Sequence, residues 1–267
     1  MPKLPAPPLP APLKTPPPRP GHGNGNGGPL EDAKNAGITV VDWVDERTSL
    51  SGAARWMMFR KVPKGTNWFY TLGSATMFVF LSQAVTGVFL AMYYRPDPAG
   101  GAYESIRYVT NDVFLGQFVR GMHKWGSSVM VVLVFLHMAR TFFFGAYKYP
   151  RELNWVIGVV LLILTMVMSF TGYLLPFDQR AYWATIVGVN INGTGPLVGP
   201  YLSDFLRGGS EFGATTLSRF YAIHMLLLPG LMAALIGAHL FLVAKLGTTA
   251  PPWTKAEKRS ELRETEV

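Results

Sequence analysis

Residues 114–147 read FLGQFVRGMHKWGSSVMVVLVFLHMARTFFFGAY, an apolar stretch that contains His123 and His137. A helix needs roughly 20 residues to cross a bilayer, and this stretch is longer. At about 100° per residue, a spacing of 14 returns to within about 40° of the same helical face, after a rise of about 21 Å. The stretch therefore predicts a membrane helix that presents two imidazoles on one face at two depths.

A second apolar stretch, residues 220–244, carries His224 and His239 at a spacing of 15. That spacing returns to within about 60° of the same face, with a rise of about 22 Å. If the two helices run in the same direction across the membrane, His123 faces His224 at one depth. His137 then faces His239 at the other. A single membrane His is most often a packing residue, but two facing pairs can each supply the axial ligands of one haem iron.

Two more uncharged stretches, residues 65–94 and 153–177, are also long enough to span a bilayer. The sequence therefore predicts an all-α membrane protein in which four transmembrane helices form a di-haem bundle. The second stretch is the least uniformly apolar, because charged residues lie near its ends. Long charged side chains at such positions can reach the membrane interface. The connection over residues 178–215 is long enough to contain short surface helices.

Composition agrees with a membrane location. The 267 residues are 49% hydrophobic and only 15% charged, which is too apolar for an ordinary soluble domain. Cysteine is absent, which excludes disulfides, thiolate zinc sites, iron–sulfur ligation and C-x-x-C-H haem attachment. The net charge of +8 comes from basic residues that flank the apolar stretches, a pattern typical of membrane topology rather than of nucleic-acid binding.

The stretches outside the predicted spans differ from them in composition. Residues 1–38 are rich in Pro and then in Gly, and we expect a disordered tail there. Residues 40–64 mix aromatic side chains with charges at helical spacing, which indicates interfacial amphipathic helices. We therefore expect a transmembrane domain over residues 39–247, followed by a charged C-terminal tail over residues 248–267.

The positions of Lys and Arg predict an orientation. Both ends of the chain and the connection between the second and third helices hold most of the 24 basic residues. Because basic loops stay on the cytoplasmic side, we expect both termini on that negative side of a prokaryotic plasma membrane. His123 and His224 then lie toward the positive side. His137 and His239 lie toward the negative side.

Glycines recur at the same spacing on the other two predicted helices. Gly73 and Gly87 lie 14 residues apart on the first helix. Gly158 and Gly172 lie 14 residues apart on the third. A helical Gly costs up to about 1 kcal/mol relative to Ala, so its presence needs a reason. Small-residue helix packing is one reason, but a flat macrocycle between the helices explains the matching spacings better.

Four further motifs accompany these spacings, namely PRELNWV from Pro150, GYLLPFDQRAYWA from Gly172, LRGGS from Leu206 and TLSRFYAIH from Thr216. On these motifs and the His spacings, the sequence from about Val40 to Gly247 resembles the cytochrome b family of quinol:cytochrome c oxidoreductases. It is most similar to the short, split form of the cytochrome b6 type, which shows His spacings of 14 and 15.

The resemblance implies two non-covalent b-type haems. His123 and His224 would ligate the positive-side haem. His137 and His239 would ligate the negative-side haem. The glycines Gly73, Gly87, Gly158 and Gly172 match the haem-packing glycines of the family. Three basic residues match positions near haem propionates, although reaching the interface would explain them equally well, and these are Arg120, Lys124 and Arg219.

The resemblance also implies a positive-side quinol pocket over residues 173–183, with Tyr173, Pro176, Tyr182 and Trp183 as its candidate residues. Taken alone, these residues would instead indicate a helix end and an aromatic belt. The Pro-Glu-Trp-Tyr motif of the family's quinol site does not occur in the chain, and in the split form that motif belongs to a separate subunit. This chain alone therefore does not complete a quinol-oxidation site.

Two positions depart from the cytochrome b6 pattern. Thr71 stands where that type carries the Cys that attaches an extra haem, so no covalent c-type haem is expected. Ala244 stands where a basic residue usually follows the fourth-helix His, with Lys245 next to it. This second departure leaves the contacts to a negative-side quinone undefined.

The function that the resemblance implies is an electron-transfer subunit of a quinol:cytochrome c, or plastocyanin-like carrier, oxidoreductase that contributes to proton translocation. The implied partners are a C-terminal, subunit IV-like cytochrome b chain, a Rieske iron–sulfur protein and a c-type cytochrome. The complex would be dimeric and embedded in lipid, and it would not bind nucleic acid.

One alternative is a di-haem anchor subunit of a dehydrogenase or hydrogenase, which the GYLLPFDQ and TLSRFY motifs disfavour. Another is a haem-free transporter or scaffold with His proton relays, which predicts carboxylates that residues 153–177 and 220–244 lack.

Overall fold

The computed structural model describes residues 40, 42–48, 52, 63–209 and 211–254. It contains two units, Met1–Lys61 and Val62–Val267. In the first unit, all of the described residues are helical. The predicted tail over residues 1–38, and most of the predicted interfacial segment, lie outside the described residues.

Four helices of the second unit are long and apolar enough to cross a membrane. The shortest has 23 residues, which at the helical rise gives about 35 Å and exceeds the roughly 30 Å of a hydrocarbon core. No strand occurs among the described residues. The expected all-α fold with four transmembrane helices is confirmed, and the spans are Trp68–Ala91, Gly116–Phe143, Glu152–Leu174 and Ala214–Leu246.

The fourth span is not one regular helix. Its first part, Ala214–Ala222, and its last part, Leu228–Leu246, are α-helical. Between them Ile223–Leu227 forms a π-helical turn, in which the N–H of Leu228 donates to the carbonyl oxygen of Ile223. A π turn accommodates one residue more than an α turn and is frequent at functional sites. His224 lies within this turn.

Short helices connect the spans at one end of the bundle. The Gly101–Asn111 helix lies between the first and second spans. The connection between the third and fourth spans contains the Gln179–Gly193 and Gly199–Arg207 helices, which confirms the expectation for this loop. Asp178 caps the first of these two helices, because its carboxylate accepts the N–H of Ala181 at 2.8 Å.

The hydrophobic core lies at this same end rather than along the middle of the bundle. Its buried members come from the short helices and from the adjoining ends of the third and fourth spans, and they are Ala102, Leu174, Val189, Leu206, Leu217 and Phe220. The hydroxyl of Thr216 ties the fourth span to this core by donating to the carbonyl oxygen of Arg207 at 2.6 Å. Phe220 lies one helical turn before His224, so the core adjoins the turn that carries this His.

Away from the core, the spans pack in two pairs and expose apolar side chains outward. The first span packs most closely against the second, and the fourth against the third. Exposed apolar side chains suit a lipid environment, because lipid tails are as apolar as these side chains and shield them from water. Examples on the spans are Phe78, Val85, Val132, Ile163 and Phe241.

The opposite end of the bundle joins the start of the third span to the end of the fourth. Arg151 donates from Nη2 to the carbonyl oxygen of Leu246 at 3.0 Å and thereby satisfies a helix C-terminus. The ring of Trp253 packs edge-on against Phe144, with centroids 5.4 Å apart, and Pro251 is buried. Packed structure therefore continues beyond Gly247 into the first residues of the predicted C-terminal tail.

Candidate functional site

The second and fourth spans bring four imidazoles together as two pairs. The ring centroids of His123 and His224 lie 6.4 Å apart, with their planes inclined by 77°. The rings of His137 and His239 show the same separation and the same angle. The pairing that the sequence predicts is thus present in the structure, at two depths of the bundle.

The separation of the rings suits a metal ion between them. Two imidazoles that bind one ion through nitrogen, at about 2 Å each, place their ring centres roughly 6 Å apart. No cluster of three or more His, Cys, Asp or Glu that could hold a metal ion occurs in the described part of the chain. Each pair therefore offers two nitrogen donors only, which suits an iron whose other ligands come from a macrocycle. The residues present fit a haem.

The π turn explains how unequal His spacings give equal ring geometry. His123 and His137 are 14 residues apart on a continuous helix, whereas His224 and His239 are 15 apart. In a regular helix the extra residue would rotate one ring by about 100° relative to the other. The turn Ile223–Leu227 accommodates that residue, so both rings of the fourth span face the second span.

Each of the four predicted glycines lies against one imidazole. A Cβ at Gly73 or Gly87 on the first span would lie 3.2 Å from Cε1 of a second-span His, namely His137 or His123. On the third span, a Cβ at Gly172 would lie 2.5 Å from Cε1 of His224. A Cβ at Gly158 would lie 3.6 Å from Cε1 of His239. The sequence predicts these glycines as space for a macrocycle, and in the structure each of them lies directly against an imidazole ring.

Two threonines contact the Nδ1 atoms of one pair. Oγ1 of Thr86 lies 2.9 Å from Nδ1 of His123. Oγ1 of Thr171 lies 3.2 Å from Nδ1 of His224, whose Nδ1 is also 3.1 Å from the carbonyl oxygen of Met168. A His that donates from Nδ1 keeps the lone pair of Nε2 for a metal. Sequence reasoning missed these threonines, although each directly precedes one of the predicted glycines.

A partly buried arginine near the other pair was also missed as a site residue. Arg140 lies one helical turn after His137, and its guanidinium carbon is 3.7 Å from the ring centroid of Tyr70. Its Nε and Nη2 atoms are buried and have no hydrogen-bond partner among the described residues, and the same holds for the hydroxyl of Tyr70. Such donors suit a carboxylate. The signal in the sequence was the position of Arg140 three residues after a His on the same helical face.

The three basic residues predicted near propionates make contacts with the protein. Arg120 donates to Oγ1 of Thr110 at 3.2 Å. Arg219 donates to the carbonyl oxygen of Phe205, at the end of a short helix. Lys124 is exposed, with its Nζ 5.9 Å from the ring centroid of Trp125. None of these contacts involves one of the paired imidazoles.

The residues of the predicted quinol pocket lie around the end of the third span. Tyr182 packs edge-on against Trp183, with ring centroids 5.3 Å apart, and also against Phe177. Trp183 is 58% exposed, while its Nε1 donates to the side chain of Gln179. Tyr173 is half-exposed, and Pro176 is partly buried in the turn that follows it. The structure therefore gathers the rings of Phe177, Tyr182 and Trp183 here, with Trp183 exposed.

The two positions that depart from the cytochrome b6 pattern lie near the opposite end of the bundle. Thr71 donates its hydroxyl to the carbonyl oxygen of Trp68 at 2.7 Å, at the start of the first span. Ala244 and Lys245 lie in the last turn of the fourth span. The chain contains no Cys, so a thioether bond to a haem is not available at Thr71.

Comparison with known proteins gives consistent matches. Residues 57–247 match the family described as Cytochrome b/b6/petB. The menaquinol:cytochrome c reductase cytochrome b subunit of Geobacillus thermodenitrificans is 44% identical over 218 residues, which cover 79% of this chain and 97% of that protein. Cytochrome b6 of Heliobacterium modesticaldum is 42% identical over 213 residues, covering 79% of this chain and all of that protein.

A solved structure matches as well. The structure titled "Hyperthermophilic respiratory Complex III" contains a chain that superposes with a TM-score of 0.72 and 31% sequence identity. The match covers 79% of this chain but only 56% of the solved chain, so this chain spans about half the length of that protein. The sequence match, the four spans and the two His pairs agree, and the chain belongs to the cytochrome b family.

Proposed function

We propose that this chain is the electron-transfer subunit of a menaquinol:cytochrome c oxidoreductase and that it holds two non-covalent b-type haems. The observation that carries the proposal is the equal geometry of the two His pairs, with centroids 6.4 Å apart in both. A relative that is 44% identical is named as the cytochrome b subunit of a menaquinol:cytochrome c reductase, which supports the reaction and the quinol class.

In this proposal His123 and His224 hold one haem. His137 and His239 hold the other. Haem iron supplies reversible one-electron chemistry when bound. The chain contributes the axial nitrogens, the glycines that let the imidazoles lie close to the first and third spans, and an apolar surrounding that excludes water. It also spaces the two pairs by about 21 Å along the helix axis, which is most of the bilayer core.

The depth of the two pairs suits charge movement across a membrane. Moving one charge across the full membrane against 100 mV costs about 2.3 kcal/mol. Two haem sites at different depths divide the path of the electron across the membrane into shorter steps. We propose that both termini lie on the negative side of a prokaryotic plasma membrane, so that His123 and His224 lie toward the positive side.

We place the quinol-oxidation site at Tyr173, Pro176, Tyr182 and Trp183. The side chains of Tyr173 and Trp183 are exposed, and the chain lacks the Pro-Glu-Trp-Tyr motif. A separate C-terminal cytochrome b chain would close the site, in agreement with the 56% coverage of the solved chain. A Rieske protein and a c-type cytochrome would accept electrons, in a dimeric complex. The haem-binding domain would be residues 39–247, between a Pro-rich tail over 1–38 and a charged tail over 248–267.

Haem stoichiometry tests the proposal. We would purify the complex from membranes and record reduced-minus-oxidised and pyridine haemochrome spectra, before and after acid–acetone extraction. The expected result is two b haems per chain, both extractable, and reduction of both by a menaquinol analogue. His123→Leu and His137→Leu should each leave one haem, whereas His22→Leu, outside the spans, should leave two.

A chain without haem would overturn the proposal, and a haem that resists extraction would contradict the non-covalent assignment. The same preparation also tests the alternative function, a di-haem anchor subunit. A di-haem anchor subunit would copurify with a dehydrogenase or hydrogenase and would not reduce a c-type cytochrome. The relatives named as reductase subunits disfavour that alternative.

A further inference from the structure

The residue that precedes each glycine differs between the two depths of the bundle. Beside His123 and His224 that residue is a threonine, and beside the other pair it is aliphatic. In chain order these residues are Leu72, Thr86, Ile157 and Thr171. The first and third spans both show this difference. It distinguishes the two His pairs, whose ring separations and angles are otherwise the same.

The hydrogen bonds of Thr86 determine the protonation of the ring beside it. Its hydroxyl is 2.7 Å from the carbonyl oxygen of Ser82, to which it donates its only proton. The oxygen can then only accept from Nδ1 of His123, at 2.9 Å. This arrangement favours the tautomer of His123 that carries its proton on Nδ1 and leaves the lone pair of Nε2 free.

Thr171 repeats this arrangement on the third span. Its hydroxyl donates to the carbonyl oxygen of Val167 at 3.0 Å and accepts from Nδ1 of His224 at 3.2 Å. The carbonyl oxygen of Met168 lies 3.1 Å from the same Nδ1 and shares the proton. Both imidazoles of this pair thus have a side-chain hydroxyl that accepts from Nδ1.

The other pair lacks such partners among the described residues. Nδ1 of His239 is buried and has no side-chain hydroxyl within hydrogen-bond distance. Among the described residues no side-chain hydroxyl forms a hydrogen bond with the ring of His137. The residue that precedes Gly73 beside that ring is Leu72. An acceptor on Nδ1–H raises the basicity of the metal-binding nitrogen, so the two pairs differ in donor strength.

We propose that Thr86 and Thr171 are positioning residues that fix the tautomer and ring orientation of His123 and His224, and that they lower the midpoint potential of the haem held by this pair alone. The inference rests on the proposed function. A more basic Nε2 stabilises ferric iron more than ferrous iron, because the ferric ion carries the greater charge. Removing the acceptors should therefore raise the potential.

The test is a redox titration of the purified complex carrying Thr86→Val and Thr171→Val together. One electron passes from dithionite to each ferric iron, or from each ferrous iron to ferricyanide, and no protein bond forms or breaks. We expect one of the two midpoint potentials to rise by about 59 mV, which corresponds to a tenfold weaker preference for ferric iron in a one-electron couple. The other potential should not move.

Two matched variants control for the loss of a buried hydroxyl. Thr76→Val and Thr165→Val remove hydroxyls on the same two spans that donate to Leu72 and Leu161 and contact no imidazole. They should leave both potentials unchanged. Thr86→Ser with Thr171→Ser keeps the acceptors and should restore the original potential, together with the original low-spin EPR signal of that haem.

The possible failures are distinguishable. Wild-type protein without haem would overturn the proposed function. Two haems with unchanged potentials in the double valine variant would overturn only the role of the threonines, as would equal shifts in both haems. If the double variant loses haem, the single variants are titrated instead. Unchanged potentials in both single variants would then overturn the inference, and a rise confined to one haem would support it.

Discussion

Gly172 of the third span packs directly against the ring of His224 on the fourth. A Cβ at residue 172 would lie 2.5 Å from Cε1 of that ring, closer than real Cβ contacts allow, and 3.1 Å from its Nδ1. At the other depth, a Cβ at Gly158 would lie 3.6 Å from Cε1 of His239, which is ordinary contact. Two glycines that look equivalent in sequence therefore differ in how much space they provide.

This difference predicts unequal effects of alanine. Gly172→Ala should displace the ring of His224 and weaken haem binding by that pair at least about tenfold. Gly158→Ala should retain both haems. Alanine favours a helix over glycine by up to about 1 kcal/mol, so a loss at Gly172 would not reflect a weaker helix. The measurement is the haem content per chain of both variants. Equal haem content in the two variants would contradict this expectation.

The π turn predicts that two single-residue deletions will differ. Deleting Leu226, within the turn Ile223–Leu227, should convert the π turn into an α turn and keep both rings aligned with the second span. Deleting Ala234, in the regular part of the same span, also makes the His spacing 14, but rotates His239 by about 100° relative to His224. We expect two haems per chain in the first deletion and one in the second. The same haem content in both would contradict our account of the turn.

Arg140 should influence the His137 and His239 pair through its charge. A nearby, partly buried cation stabilises the reduced iron, so Arg140→Leu should lower the potential of one haem by tens of millivolts. Arg140→Lys keeps the charge and should shift the potential less. Redox titration of the two variants provides the measurement. A fall of the same size in both variants would assign the effect to lost packing on Tyr70 instead of lost charge.

The core at the end of the bundle should carry much of the stability of the site. Phe220 is fully buried, so Phe220→Ala should cost about 3–5 kcal/mol and lower the thermal unfolding temperature of the complex. Phe241, further along the same span, is 63% exposed, and Phe241→Ala should change that temperature little. Because Phe220 lies one turn before His224, the same variant should also lose haem from the His123 and His224 pair. A stable variant with both haems would contradict this.

Periodic features of the site were predictable from the sequence. His123 and His137 are nearly four helical turns apart, and this spacing alone predicts two imidazoles at two depths of the membrane. The spans were predictable for a similar reason, since a bilayer imposes one length and one polarity on every crossing helix. The structure beyond the fourth span was less predictable, because Trp253 packs against Phe144 and Pro251 is buried, which composition alone does not indicate.

What the sequence by itself determined is therefore the set of local properties: four apolar helices, the residues that face one way on each, and the absence of any thiol. What only the tertiary structure decided is which side chains meet across helices. The ring partner of each glycine, the hydroxyls of Thr86 and Thr171 on one pair, and the cluster of Arg140 with Tyr70 all join residues distant in sequence. Such contacts depend on the rotation and depth of each helix relative to its neighbours, and a one-residue π turn is enough to change both.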